Sequence, residues 1–366
     1  MPIRVGTFNV ENLMRRTVAE RDRNTGAWIP DPAVGLYEHP NEQEGRLIER
    51  AVQIAISDDQ RQMTAQAIRD ADADILCLQE VDDLRSLRYF HDRYLRRAVD
   101  EPYDEFALLQ GNDGRGIDVA VMARRGYPIK VKSHAALTYR DLGLYNDDLR
   151  RWGALEDDRC FKRDCLEVEV EVGDRVLDIF ICHLKSMSDD RDRTMPVRRA
   201  EARAVRRIIE RRYGPKAPHA NWLICGDMND YRDKILVRRG PDGEPEWRQE
   251  RAEASGIDPF FADRFAVNLV ERLPWEERWT HWYGEAKELS QLDYIFASPG
   301  LAAANPRAKP EIVRRGLPYR VPCRPRNPDG TPFERYPRVG FDRPKASDHC
   351  PLVIELDIPD DGRRPT

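Results

Sequence analysis

Apolar and polar residues alternate from Ile3 to Val10 (IRVGTFNV), the period of a half-buried strand. Ser57 and Asp58 read as the cap of a helix running to about Ala71, and DILCLQEV (Asp74 to Val81) then reads as a buried strand. FALLQ and IDVAVMAR, joined by the turn-rich GNDGRG, predict two strands around a hairpin connection. Strict alternation returns from Leu166 to Val172, followed by Gly173-Asp174 and the apolar run VLDIFICHL, a second hairpin. The stretch MPVRRAEARAVRRIIERRYG predicts a helix closed by Gly214 and Pro215. NWLICGDMND, LDYIFAS and CPLVIELDI each add a strand. Strands therefore dominate, with few helices between them, and polar clusters fall at strand ends, where loops on a rigid sheet commonly carry function.

Composition narrows the class. The chain has 366 residues, 40% hydrophobic and 34% charged, enough apolar material for a sizeable core, and we read residues 1–366 as one domain. A net charge of −5 argues against a protein that is basic all over, without excluding a local basic groove. No apolar run approaches the roughly 20 residues that span a bilayer. The sequence opens directly on its first strand with no apolar leader, which gives a cytoplasmic expectation, and no obligate protein partner is evident. Of the seven cysteines, Cys77, Cys182, Cys225 and Cys350 sit in or beside apolar runs, and Cys160 and Cys165 lack zinc-knuckle spacing. They read as reduced thiols.

Three stretches look like insertions: Met14 to Ser57, Ala136 to Arg163, and Ala302 to Lys345. The last carries eleven Lys or Arg against four acids, a net +7 within an acidic chain. Long ordered insertions tend to be functional, although a charge run also serves as plain solvated surface.

Five patches place polar groups directly after an apolar run: Asn9 in TFNVEN, Glu80 in LCLQEV, His183 in ICHLKS, Asp227 and Asn229 in CGDMND, and Asp348-His349 in SDHCP. Asp293, in QLDYIF, adds a carboxylate inside a strand that needs a partner if buried. Each alone has a plainer reading as a cap, turn former or structural pair. Together they supply oxygen ligands (Glu80, Asn9, Asp348) suited to a hard cation such as Mg²⁺ or Mn²⁺. They also supply the carboxylate and imidazole needed to activate water against a phosphate ester.

In this order, TFNVEN, LQEV, HLKS, GDMND, LDYIF and SDHCP resemble the endonuclease/exonuclease/phosphatase superfamily, which includes DNase I-like nucleases and exonuclease III-like repair enzymes. The resemblance runs from Val5 to about Asp357 and implies an α/β (α+β) fold: a two-sheet β-sandwich flanked by helices, in four layers. It implies Glu80 as the main metal ligand, with Asn9 and Asp348 close to the ion. Asp227 becomes the base or water-positioning group, and Asn229 holds a phosphate oxygen or orients Asp227. His349 contacts the scissile phosphate, oriented by Asp293, while His183 stabilises or protonates the leaving oxygen, with Asp118 (in RGIDVAV) as its carboxylate partner.

The substrate class is the thinner part of the reading. QLDYIF departs from the Trp-Cys-Asp-Arg pattern of inositol-phosphatase relatives, although GDMNDYR partly resembles their GD-x-N-Y-R motif. DMNDYRD also differs from the extension usual in abasic-site endonucleases. The basic material favours a polyanion: a run of arginines including Arg198 decorates one helix, and Arg343 and Lys345 end the +7 segment just before Asp348. We expect these three to meet backbone phosphates without reading sequence, with Trp275, Trp279 and Trp282 able to stack bases. The expectation is a metal-dependent nuclease acting on DNA or RNA. Alternatives are a phosphomonoesterase, a small-molecule or lipid phosphodiesterase, and a catalytically silent binding module.

Overall fold

The computed structural model describes residues 2–13, 20–21, 28–29, 42–187, 190–240, 245–324, 326–327 and 329–365. Most of the expected Met14–Ser57 insertion thus lies outside the described residues. In chain order the first strands are β1 (Pro2–Leu13), β2 (Ile75–Val81), β3 (Tyr103–Leu108), β4 (Asp118–Arg124) and β5 (Ile129–Ser133). The next are β6 (Cys165–Val172), β7 (Arg175–His183), β8 (Trp222–Asp227), β9 (Asp233–Arg239), β10 (Pro245–Arg251) and β11 (Val267–Asn268). The last are β12 (His281–Tyr283), β13 (Glu288–Ser290), β14 (Asp293–Ala297), β15 (Glu311–Ile312) and β16 (Leu352–Asp357). The helices that matter here are α1 (Glu42–Ala71), α2 (Leu84–Arg93), α3 (Tyr139–Leu142), α4 (Asp147–Trp152) and α5 (Arg191–Tyr213).

Two six-stranded sheets carry the fold, in the orders β15-β16-β1-β2-β4-β3 and β11-β14-β8-β7-β6-β5. Each is mixed, with one parallel pair near its middle: β1 with β2, and β7 with β8. The inward faces pack on each other through aliphatic residues such as Val5, Ile75, Val121, Val168, Ile179 and Ile295. The outer face of the first sheet is covered by α1 and α2 through Met63, Ile68, Leu87 and Phe90. That of the second is covered by α3, α4 and α5 through Leu142, Leu149, Val197 and Ile208. The result is helix–sheet–sheet–helix, the four-layer sandwich that the family resemblance implied.

The strands expected from periodicity are all present, and the Gly173-Asp174 turn joins β6 to β7 in register from Cys165↔Cys182 to Val172↔Arg175. Three differences stand out. The helix expected to begin at Ser57 instead runs through it, because Asp58 accepts hydrogen bonds from Gln62 and the Tyr94 hydroxyl and caps nothing. Segment 136–163 is structural: Tyr139, Leu142, Leu149 and Phe161 are buried under α5. A third sheet, β10-β9-β13-β12, was not anticipated and packs with Leu317 and Val321 of the +7 segment. Among the described residues no helix is long and apolar enough to cross a membrane.

Candidate active site

The polar residues picked out in sequence converge where the first parallel pair loses its regular register and the second ends, Asn9 of one reaching Asp227 of the other. β1 breaks its register with β2 after Asn9, and β2 breaks with β4 after Gln79. Glu11, Asn12 and Glu80 take up the irregularity with left-handed backbones (φ 49°, 57° and 65°). Non-glycine residues rarely adopt such angles, and bulges of this kind re-aim side chains beside functional sites. Glu80 is fixed by the Asn12 N–H, which donates to Oε2 at 3.0 Å.

On the second sheet, His183 and Asp227 end neighbouring parallel strands side by side, and Asp227 faces Asp293 across β14. The close approach requires glycine at position 226, where φ is +139° and a Cβ would sit 1.9 Å from the Cys182 carbonyl oxygen. Asp227 is held on three sides. Its Oδ1 accepts the Asn229 N–H at 2.8 Å, and Oδ2 accepts Asn229 Nδ2 and Asn9 Nδ2, each at 3.1 Å. Asn229 itself is left-handed (φ 48°) and also donates to the Leu184 carbonyl.

His349 arrives from the loop before β16. Ser347 anchors that loop by donating to the Asn9 carbonyl at 2.7 Å and accepting the His349 N–H at 3.1 Å. The His349 Nδ1 lies 2.8 Å from Asp293 Oδ2, and its Nε2 points to Asp227 Oδ2 at 3.7 Å. Burial opposes charge on this ring, but the Asp293 and Asp227 carboxylates outweigh it and lift its pKa well above the ordinary histidine value. Burial also pushes the Asp227 carboxyl up to about 7, helped by Asp293 and opposed by His349 and the amide donors. His183 is the contrast. Burial, with Arg163 and His349 adding positive charge, drives its pKa well down and keeps the ring neutral. Its Nε2 lies 3.6 Å from Asp227 Oδ2 and 4.0 Å from Glu80 Oε1.

Three expectations are corrected. Asp118 does not pair with His183: its Oδ1 accepts the Gly111 N–H at 2.8 Å, and His183 Nδ1 has no hydrogen-bond partner among the described residues. Arg198 does not face substrate. It is fully buried, with Nε 2.8 Å from Asp230 Oδ2, because its side of α5 faces the core and not the solvent. Lys345 does not project freely either: it is buried with Nζ 2.9 Å from Glu11 Oε1, and the exposed Arg343 lies 3.8 Å from the same oxygen. Lys345 nevertheless belongs to the site, since its charge holds the Asp348 carboxyl well below the usual range against the pull of burial.

Sequence reasoning also passed over two residues. Glu11, pushed up to about 7 by burial and the neighbouring Asp348, lies in TFNVEN but shows its role only through Lys345. Arg163, buried with Nε 3.0 Å from Asp113 Oδ2, donates to the Leu184 carbonyl behind His183, and no local pattern marks it.

The donor set fits a hard divalent cation. Glu80 and Asp227 bring carboxylate oxygens to the bowl, Asp293 Oδ1 is buried without a hydrogen-bond partner among the described residues, and no cysteine joins the cluster. Among the described residues, Asp227, Asp293 and His349 (the last through a ring nitrogen) bring candidate ligand atoms to within 4.8 Å of one another.

A family model described as Endonuclease/Exonuclease/phosphatase family matches residues 7–349. No curated protein matches the sequence. Among solved structures, D. rerio TDP2 complexed with single strand DNA product is 12% identical, with 98% of this chain and 99% of that one covered at a TM-score of 0.51. The human Nocturnin catalytic domain is 14% identical (97% and 94% covered, TM-score 0.49). A mannosyl-6-phosphatase of Bacteroides thetaiotaomicron is 12% identical (97% and 100% covered, TM-score 0.48). With the family model spanning both sheets and every polar patch from Asn9 to His349, the chain belongs to the Endonuclease/Exonuclease/phosphatase family of phosphoesterases.

Proposed function

We propose that this phosphoesterase is a divalent-metal-dependent nuclease that hydrolyses phosphodiester bonds of DNA or RNA, with Mg²⁺ or Mn²⁺ as its cation. The observation that carries the hydrolytic part is the pairing of a buried, amide-clamped Asp227 with a charged His349 only 3.7 Å away. Glu80, Asn9 and Asp348 would hold the cation, which when bound supplies neutralisation of charge on the phosphoryl oxygens.

The chain's own residues divide the remaining work. Asp227 accepts the proton of the attacking water, its pKa near 7 matching that task at neutral pH. Asn9 and Asn229 keep its carboxylate in one orientation. His349, kept protonated by Asp293, donates to a non-bridging phosphate oxygen and stabilises charge as the pentacoordinate state forms. The neutral His183 presents its Nε2 to the same bowl as a second donor toward the leaving oxygen.

Nucleic acid is favoured over a small monoester by the cations beside the site that stay exposed: Arg343, near Glu11, and Arg320, which lines an adjoining groove. The test is cleavage of supercoiled plasmid and single-stranded oligonucleotides with Mg²⁺, Mn²⁺ or EDTA. Metal-requiring cleavage that disappears in Asp227→Ala supports the proposal. Intact nucleic acid under conditions where phosphomonoesters are hydrolysed would replace it with a phosphatase reading, and binding without any turnover would indicate a silent module.

A further inference from the structure

Beside the catalytic bowl lies an open groove of about 680 Å³, walled by the third sheet on one side and the +7 segment on the other. That volume lies within the roughly 300–1,000 Å³ typical of small-molecule sites. Its lining includes the cations Arg238, Lys287 and Arg320, the rings of His281 and Trp282, and the acids Glu285 and Asp348. The groove is continuous with the site through His281, which bridges to His349 with ring centroids 4.8 Å apart.

Exposed aromatic rings stand on its wall and beside Arg320 in the chain. Tyr283 on the wall is 48% exposed, and Tyr319, which precedes Arg320 in the chain, and Phe341, whose carbonyl accepts the Arg320 N–H, are 57% and 75% exposed. The two loops bearing them are strapped together: the Tyr319 N–H donates to the Gly340 carbonyl, the Arg320 N–H to the Phe341 carbonyl, and Arg320 Nε lies 2.9 Å from Asp342. Gly284 opens the space between Trp282 and Arg320, where a Cβ would come within 3.3 Å of the indole nitrogen and 4.0 Å of the guanidinium.

Aromatic faces interleaved with cations are how proteins hold unpaired bases, the ring stacking the base and the cation meeting its phosphate. An acyl chain would need an enclosed apolar channel, and five charged side chains at the wall, three cations and the acids Glu285 and Asp348, argue against one. We propose that this groove seats one unpaired nucleobase next to the scissile phosphate, stacked against Trp282, with the adjoining backbone phosphate facing Arg238, Lys287 and Arg320. The inference rests on the nucleic-acid reading and adds that single-stranded or frayed ends are the preferred substrate.

The test is a cycle between protein and substrate. Turnover of a short single-stranded oligonucleotide is compared with that of the same oligonucleotide carrying an abasic analogue beside the cleaved bond, for wild type, Trp282→Ala and Gly284→Leu. Gly284→Leu fills the groove while keeping the indole, so it reports even if Trp282→Ala fails to fold. Trp282→Phe, which retains a stacking face, should restore most of the loss. Each of the first two variants should lower kcat/KM on the intact strand by roughly 5- to 150-fold. That loss should fail to multiply with the loss caused by removing the base. Multiplying losses, or no loss in either variant, overturns the base seat. If wild type cleaves no oligonucleotide at all, the nuclease reading falls separately, and calorimetry with adenosine 5′-monophosphate against ribose 5-phosphate then decides the groove. Tighter binding of the nucleotide by wild type but not by Gly284→Leu keeps the seat, and equal binding removes it.

Discussion

Replacing Arg198 with alanine should loosen the fold and leave the hold on nucleic acid alone. Arg198 and the Asp230 side chain are both 0% exposed, joined by a 2.8 Å contact, and the guanidinium also donates to Thr194 Oγ1 at 2.6 Å and the Arg191 carbonyl at 2.6 Å. Asp230 further accepts the Gly256 and Tyr231 N–H groups and pairs with Arg191 at 2.6 Å. Breaking a buried pair by removing one member costs about 3–5 kcal/mol. Arg198→Ala belongs at the lower end, because Arg191 still compensates Asp230; Asp230→Ala belongs at the upper end, because Arg198 is left without a carboxylate. Unfolding entropy of about 2.1 cal/mol/K per residue gives roughly 0.8 kcal/mol/K for a chain of 366 residues. The melting temperature should therefore fall by about 4 °C for Arg198→Ala and about 6 °C for Asp230→Ala. Thermal denaturation followed by circular dichroism reads the shift, and the salt dependence of oligonucleotide binding reads the alternative. A lost phosphate contact would flatten the log–log salt slope by about one unit. A flattened slope with an unchanged melting temperature would refute the buried-pair account.

Three further substitutions probe the frame of the site. Gly226→Ala forces a Cβ onto the Cys182 carbonyl between the strands that carry Asp227 and His183, so stability should drop by at least about 3 kcal/mol, and an unchanged urea midpoint would contradict this. Ser347→Ala removes both the tether to Asn9 and the acceptor of the His349 N–H, costing about 1–3 kcal/mol by urea unfolding; loss below about 0.5 kcal/mol would show the tether to be incidental. Asp293→Asn keeps the shape of the site but removes the charge that keeps His349 protonated, so kcat should fall about 10²–10⁴-fold, and wild-type turnover would rule out that role.

The strands and their chemistry were legible because the two parallel pairs are apolar runs interrupted by polar residues: His183 and Asp227 end their strands, and Asn9 and Glu80 stand where regular pairing breaks. What was not legible depends on distant partners. Arg198 looks like any other arginine on a charged helix, and only its contact with Asp230, 32 positions away, turns it inward. Asp118 likewise follows the pattern of a histidine partner, yet Gly111 claims its carboxylate. The third sheet went unread because β12 and β13 have three residues each, too short to show a period, while β9 and β10 are laced with charge. Glu11 and Glu80 owe their placement to left-handed backbones at two bulges, which no residue type there announces.

The central claim is that the bowl around Asp227 hydrolyses phosphate esters with a bound divalent cation. The most direct measurement is turnover of a chromogenic phosphodiester by wild type and Asp227→Asn, at matched Mg²⁺ or Mn²⁺ and after EDTA, with both melting temperatures recorded. The account predicts turnover that vanishes with EDTA, returns with added metal, and falls about 10²–10⁴-fold in a folded Asp227→Asn. Turnover that persists in EDTA, or a folded Asp227→Asn within about tenfold of wild type, would contradict it.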